Sequence, residues 1–136
     1  MVDTGVFGSG LVPSSGDLAR HYQPHLVGRR VIVAYQTVAE LRYGALRRNW
    51  GAATIADMEA RVRAATVAPV DDRTAEVYAE LKDACVRVGH GLGQKVHDGD
   101  RWIAATAIRY RIPLVAHDGI FRDAPGLDLV TELEQA

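Results

Sequence analysis

The fold can be inferred from the segment Asp98-Gly99-Asp100-Arg101-Trp102-Ile103-Ala104-Ala105-Thr106-Ala107-Ile108. If this segment is helical, Asp100 shares one face with Ile103, Ala104 and Ala107, which follow it by three, four and seven residues. An apolar face of this kind is typical of a helix that packs against a core. Because an unpartnered buried carboxylate costs several kcal/mol, Asp100 is expected to be paired, to cap the helix or to bind a cation.

The composition indicates a single globular domain over residues 1–136, of which 48% are hydrophobic and 24% are charged. A net charge of −1 provides no global attraction to nucleic acid, so such a role would need a local patch. The single cysteine, Cys85, excludes an internal disulfide and suits a reducing compartment. Neither a signal peptide nor a membrane-spanning run is recognisable, which predicts a cytoplasmic protein without membrane contact.

Alternating strand and helix patterns predict an α/β domain whose mainly parallel central sheet is flanked by helices. The chain starts with an apolar pair that reads as the short end of a buried strand, with Asp3 at its tip. The other predicted strands are Arg30–Tyr35, Thr66–Val70, Leu114–Ala116 and a short one ending at Val130. The predicted helices are Asp17–Tyr22, Thr37–Trp50, Ala53–Ala64, Asp72–Val88 and Asp100–Arg111, and residues 8–16 are predicted to form a loop.

Four acidic residues are expected at one end of this sheet. Asp3, Glu40 and Asp118 come at or just after the carboxyl ends of predicted strands, where open α/β sheets bind ligands. Asp100 approaches the same end from the start of its helix. Four converging carboxylates repel one another unless cations neutralise them, and oxygen ligands suit Mg²⁺ or Mn²⁺. These acids are therefore the predicted catalytic and metal-binding residues.

Each acid also has a purely structural interpretation. Thr37 and Glu40 have the spacing of a capping box at the start of a helix. Asp98 and Asp100 could cap a helix or occupy its first turn, and the remaining two acids could belong to turns. Independent caps need not all fall at one end of one sheet, and this joint placement favours a functional site.

The sequence resembles the PIN-domain ribonucleases, and within them the VapC-type toxins of bacterial toxin–antitoxin pairs. The resemblance rests on Asp3-Thr4, Thr37-Val38-Ala39-Glu40-Leu41-Arg42-Tyr43-Gly44-Ala45, Asp100-Arg101-Trp102-Ile103-Ala104-Ala105-Thr106-Ala107 and Pro113-Leu114-Val115-Ala116-His117-Asp118. These four landmarks occur in the family's order and cover essentially the whole chain. Two departures are that Gly5 replaces the usual Asn after Asp-Thr and that the first strand is short.

The resemblance implies a PIN-like nuclease that cleaves RNA with Mg²⁺ or Mn²⁺ held by Asp3, Glu40, Asp100 and Asp118. It also implies a homodimer and a cognate antitoxin protein whose tail blocks the cleft. We expect the antitoxin to dock on apolar helical surface that includes Val38, Leu41, Leu46 and Trp50.

Three further side chains are candidates for contacting substrate: Thr4, Arg42 and Arg101. Asp98 lies two residues before Asp100 and could replace it in the site. The alternative function is a non-catalytic PIN-like module that binds RNA or protein, in which the acids serve as caps and surface charges.

Overall fold

A computed structural model describes residues 1–134 and contains two ladders of parallel strands. In the first ladder, β1 (Ile32–Ala34) pairs with β2 (Thr66–Ala68), and Ile32 lies opposite Thr66. In the second, β3 (Leu114–Val115) pairs with β4 (Leu129–Val130). All of these strands are short and rich in apolar residues, as expected for strands covered on both faces.

Residues 1–3 join the two ladders into one sheet. The amide of Val2 donates a hydrogen bond to the carbonyl of Ile32 at 2.9 Å, and Val2 also forms a parallel bridge with Val115. The amide of Asp3 donates to the carbonyl of Val115 at 2.9 Å. The order across the sheet is therefore β2, β1, residues 1–3, β3 and β4, which confirms the predicted parallel α/β fold.

Helices pack on both faces of this sheet because neighbouring strand residues point to opposite sides. Val2, Val33 and Val115 contribute to one apolar core, with the early helices α1 (Thr4–Phe7), α2 (Gly16–Leu26), α3 (Tyr35–Arg47) and α4 (Ala52–Ala64). Ala34 and Leu114 belong to the other core, with α5 (Asp72–Val88) and α6 (Asp98–Arg109). The sheet is thus a layer between two groups of helices.

The helix boundaries follow local capping signals. Helix α5 has the predicted bounds because Asp71 and Thr74 form a capping box at its start. At its end Gly89 adopts a left-handed conformation with φ of 72°, which glycine adopts without steric cost. Helix α6 begins at Asp98, two residues before the predicted start. Helix α3 begins at Tyr35 rather than at Thr37.

Two predicted features need correction. Residues Thr4–Phe7, for which the sequence predicts no helix, form a short helix, and α2 runs on to Leu26 instead of ending at Tyr22. Of the apolar residues assigned to an antitoxin surface, Val38 and Leu41 are each only 6% exposed because they pack in the core. Leu46 is exposed on the outer side of α3.

Over residues 1–134, no helix combines the length and the hydropathy needed to span a membrane.

Candidate functional site

The four predicted acids line one pocket of about 170 Å³ at the carboxyl edge of the sheet. Asp3 follows the strand-like residues 1–3, Asp118 follows β3, and Glu40 lies on α3, which continues directly from β1. Asp100 enters from the first turn of α6. The remaining lining residues are Thr4, Gly5, Leu18, Ile103 and His117.

Asp3 and Asp118 each cap a helix and still face the pocket. Oδ1 of Asp3 accepts a hydrogen bond from the amide of Val6 at 3.0 Å, and Oδ1 of Asp118 accepts one from the amide of Ile120 at 3.0 Å. Within residues 1–134, Oδ2 of neither side chain accepts a hydrogen bond. The capping role and a ligand-binding role are therefore compatible, because each uses a different oxygen.

Glu40 and Asp100 likewise each have one carboxylate oxygen in a hydrogen bond and one without a partner. Oε2 of Glu40 accepts a hydrogen bond from the hydroxyl of Thr4 at 2.7 Å, and Oδ2 of Asp100 lies 3.2 Å from Nδ1 of His97. Their other oxygens have no hydrogen-bond partner in the described part of the chain. One oxygen of each acid is thus held in place, and the second is left available to a ligand.

The capping-box interpretation of Glu40 is wrong. Helix α3 begins at Tyr35, and its N-cap residue Ala34 makes no capping hydrogen bond through its side chain. Glu40 consequently lies in the second turn, too far into the helix to bond a free amide at the terminus. Its hydrogen bond goes to Thr4, which lies on a different helix and beside Asp3.

The pocket carries negative charge that no Lys or Arg among its lining residues compensates. The pKa of Asp3 is raised from 3.8 to about 6. Burial is the largest cause, and the negative charges of Asp118, Asp100 and Glu40 add to it against the opposing hydrogen bond from Val6. Burial also raises the pKa of Asp100, while the contact with His97 lowers it. A cation in this pocket would relieve both the burial and the repulsion of these carboxylates.

Asp98 and Arg101 lie outside the acidic pocket and form a structural cluster. Arg101 is 1% exposed, and its guanidinium donates to the carbonyls of Leu92 and Gln94, to the hydroxyl of Tyr78 and to the carboxylate of Asp98. The prediction that Arg101 contacts substrate is therefore wrong, since its donors are directed into the protein. Asp98 is bound to Arg101 and Tyr78 and does not line the pocket.

Arg42 also differs from the prediction. Its guanidinium forms two hydrogen bonds to the carboxylate of Glu59 on α4, at 3.0 and 3.1 Å, and it does not line the acidic pocket. Thr4, by contrast, lies in the pocket and orients Glu40. A Cβ added to Gly5 would be in ordinary van der Waals contact with Asp3, 3.9 Å from both of its carboxylate oxygens.

Tyr22 is a component of the site that sequence reasoning missed. Its side chain is fully buried, and its hydroxyl lies 2.7 Å from Nδ1 of His117 and donates to the carbonyl of Ala116 at 3.2 Å. This contact fixes the ring of His117, whose Nε2 makes no hydrogen bond within residues 1–134. No sequence pattern links Tyr22 to His117, because they are separated by 95 residues.

The donor set fits a hard divalent cation, because the four acids offer only carboxylate oxygens. As the side chains stand, no three His, Cys, Asp or Glu residues within 1–134 are close enough together to form a complete metal site. Asp3, Glu40, Asp100 and Asp118 are thus in one pocket without being drawn into a compact ligand cluster. Their free oxygens are the atoms that such a cation would engage.

The raised pKa of Asp3 predicts that this carboxyl group stabilises the metal-free protein more in mild acid than at neutral pH. The folded chain, with a pKa of about 6 against an ordinary 3.8, binds this proton more tightly than the unfolded chain. The free energy of unfolding should therefore fall by up to about 3 kcal/mol between about pH 4 and pH 7. Urea denaturation in EDTA across this range measures the effect. The Asp3→Asn variant should lose this component of the slope, and identical slopes in both proteins would contradict the prediction.

Comparison with known proteins gives consistent results. A model of the PIN domain family matches residues 1–127. Ribonuclease VapC5 of Mycobacterium tuberculosis is 32% identical over 134 residues, covering 93% of this chain and 87% of that protein. The crystal structure of VapBC-5 from the same organism, a member of the VapBC family of toxin–antitoxin systems, aligns with a TM-score of 0.67 at 26% identity and covers 96% of this chain and 95% of the other.

A second solved structure, VapBC2 from Rickettsia felis bound to a DNA fragment from their promoter, aligns with a TM-score of 0.79. The alignment covers 96% of both chains at 17% identity. At that identity the similarity concerns the fold alone.

Proposed function

Because this chain belongs to the PIN-domain family, we propose that it is a VapC-type ribonuclease, the toxin of a toxin–antitoxin pair. PIN-domain nucleases generally depend on a divalent metal. In this chain the acidic pocket at the carboxyl edge of the sheet is the proposed place of RNA hydrolysis, with Mg²⁺ or Mn²⁺ as the cation.

One observation carries the proposal. Asp3, Glu40, Asp100 and Asp118 line one pocket, and each has one oxygen held by a hydrogen bond and one oxygen without such a partner. Four acids serving only as caps or surface charges would gain nothing from sharing a pocket, because their proximity is repulsive. The arrangement is useful to the protein if a cation binds between them.

The proposed mechanism assigns separate tasks to the side chains around the pocket. The four acids would hold the cation, which when bound increases the acidity of water and stabilises negative charge on phosphodiester oxygens. Thr4 holds Glu40 in position through its hydroxyl, and His97 does the same for Asp100. His117, fixed by Tyr22, offers a ring nitrogen at the edge of the pocket to a phosphate oxygen. The buried floor at Asp3 limits the access of bulk water to the carboxylates.

The proposed partners follow from the family. RNA is the proposed substrate, since the relative in Mycobacterium tuberculosis is named a ribonuclease. An antitoxin protein is the proposed inhibitor, since VapBC-5 belongs to a family of toxin–antitoxin systems. The homodimer implied by the resemblance stays a prediction, as do the roles of the individual acids.

The activity test is cleavage of total cellular RNA by the purified protein. We expect new RNA ends in Mg²⁺ or Mn²⁺ and none in EDTA, with activity restored when excess metal is returned. Cleavage that continues undiminished in EDTA would contradict a metal-dependent site. RNA binding without cleavage under any metal condition would instead support the non-catalytic module.

A melting experiment tests whether the acids bind the cation. Metal at about 100 times its Kd should raise the Tm of the wild-type protein by about 5–10 °C, because only the folded chain presents the site. In Glu40→Gln this rise should shrink, while the Tm in EDTA should stay equal or increase because one repelling charge is removed. An unchanged metal-induced rise in Glu40→Gln would exclude Glu40 as a ligand.

A further inference from the structure

A groove of about 580 Å³ runs along α3 and opens into the acidic pocket. The groove and the pocket share three lining residues, Thr4, Gly5 and Glu40. A molecule whose reacting part lies at the acids can therefore extend into the groove without leaving the protein surface.

One face of α3 forms a wall of this groove. The wall begins at Glu40. The other lining residues of this face follow Glu40 by three, four, seven and eight residues, the spacings of one helix face, and the last of them caps the helix: Tyr43, Gly44, Arg47 and Arg48. At 1.5 Å per residue, Arg47 lies about 10 Å along the helix axis from Glu40. The wall thus begins at an acid of the pocket and ends at two positive charges.

The two arginines are free of protein partners. Arg47 and Arg48 are both exposed, and the guanidinium of neither donates a hydrogen bond to, or forms an ion pair with, any residue in 1–134. Other arginines nearby are engaged, since Arg42 bonds to Glu59 and Arg61 donates to backbone carbonyls. Two unpaired guanidinium groups beside an acidic pocket give a local attraction for phosphate that a net charge of −1 does not provide.

Tyr43 and Gly44 shape the middle of the groove. The side chain of Tyr43 is 66% exposed and makes no hydrogen bond within the described residues, so its ring is accessible for stacking. A Cβ on Gly44 would lie 2.9 Å from a terminal nitrogen of Arg48. The missing side chain therefore lets the guanidinium of Arg48 fold back along the helix toward Glu40.

We propose that this groove binds single-stranded RNA on one side of the bond that is cleaved. This inference rests on the proposed ribonuclease function. Tyr43 stacks on a base, and Arg47 and Arg48 bind phosphates within the first few nucleotides from the acids. An accessible ring followed by free guanidinium groups is the combination that single-stranded nucleic acid requires. A protein partner would favour exposed apolar side chains. The apolar lining residues Val12, Leu41 and Trp50 are buried or partly buried, and the large side chains that the groove exposes are those of Tyr43, Arg47 and Arg48.

The arginines are tested by the double variant Arg47→Gln/Arg48→Gln. Its affinity for a random-sequence single-stranded RNA pool, measured by fluorescence anisotropy in EDTA, should fall at least about tenfold. The slope of log K against log salt should become shallower by about 1.4, since each phosphate contact on a single strand contributes about 0.7. The control Arg63→Gln/Arg87→Gln removes the same charge from surfaces outside the groove and should leave affinity and slope close to wild type.

The ring is tested by comparing Tyr43→Ala with Tyr43→Phe. Loss of stacking should weaken RNA binding at least about fivefold in Tyr43→Ala, whereas Tyr43→Phe should bind like the wild type because its ring can still stack. With an RNA that the protein cleaves, the arginine variant should raise KM with little change in kcat.

The outcomes separate this inference from the proposed function. Wild-type protein that cleaves no RNA in Mg²⁺ or Mn²⁺ would refute the ribonuclease function, whatever the groove binds. Wild-type cleavage together with unchanged affinity, salt slope and KM in the double glutamine variant would overturn the RNA groove. This second result would indicate that the groove binds a protein partner instead of RNA.

Discussion

The Asp100→Asn variant should cleave RNA at least about a hundredfold more slowly than the wild-type protein, because loss of one metal-binding carboxylate removes several kcal/mol of charge stabilisation. The fold should persist, since burial and Asp118 already disfavour the charged form of Asp100. In EDTA its Tm should equal or exceed that of the wild type. The measurement is cleavage of a fixed RNA in Mg²⁺ or Mn²⁺, with melting curves for both proteins. Asp3→Asn should show the same combination.

Asp98→Asn is the matched control for this experiment. It removes the same charge two residues earlier on the same helix, but Asp98 contacts Arg101 and Tyr78 and does not line the pocket. We expect near-normal cleavage with a lower Tm, which is the reverse of the result for Asp100→Asn. Wild-type cleavage in Asp100→Asn would refute the central assignment of this site, and loss of cleavage in a folded Asp98→Asn would move that assignment to Asp98.

The largest stability change should come from Arg101→Met. This substitution removes four hydrogen-bonding contacts of a side chain that is 1% exposed and leaves the carbonyls of Leu92 and Gln94 without their buried donor. The expected cost is about 3–5 kcal/mol, equivalent to a fall in Tm of about 10 °C or more. Part of the loss is offset because Nε of Arg101, which is buried without a partner in residues 1–134, is also removed. Urea denaturation at constant pH measures the difference.

Arg109→Met provides the control for Arg101→Met. Arg109 lies near the other end of α6 and binds the carboxylate of Asp71 through two hydrogen bonds at the protein surface. Because solvent can replace that partner, the change in stability should be small. Equal effects of the two substitutions would show that Arg101 is not a structural anchor.

The sequence predicts the elements that have both a clear period and clear terminal signals. Helix α5 is the best example, because an apolar stripe, the Asp71 cap and Gly89 all agree on its bounds. The parallel sheet is also predictable, because short strands alternate with helices. The closeness of Asp3 and Asp118 is predictable from that sheet, because each follows the carboxyl end of one of two neighbouring parallel segments.

The burial of Arg101 and the contact of Tyr22 with His117 could not be predicted from the sequence, because both depend on tertiary packing. A stripe of apolar residues implies one buried face and one exposed face, but α6 is covered by the sheet on one side and by α5 on another. Residues 103–107 are consequently all buried, and Arg101 is buried with them. The contact of Tyr22 with His117 depends on how α2 packs over the end of β3, and local periodicity does not specify that packing. Helix α1 is too short, at four residues, to show a period at all.

The position of residues 1–3 in the middle of the sheet also determines when the pocket can exist. During synthesis these residues emerge well before one of their two neighbouring strands, which follows more than a hundred residues later: Met1 bonds to Pro113 across 112 residues. Until β3 has left the ribosome, Asp3 has no strand on that side and Asp118 has not been made. The growing chain is therefore without its complete set of acids while its own messenger RNA is still being translated, and the pocket assembles only as the last strands join the sheet.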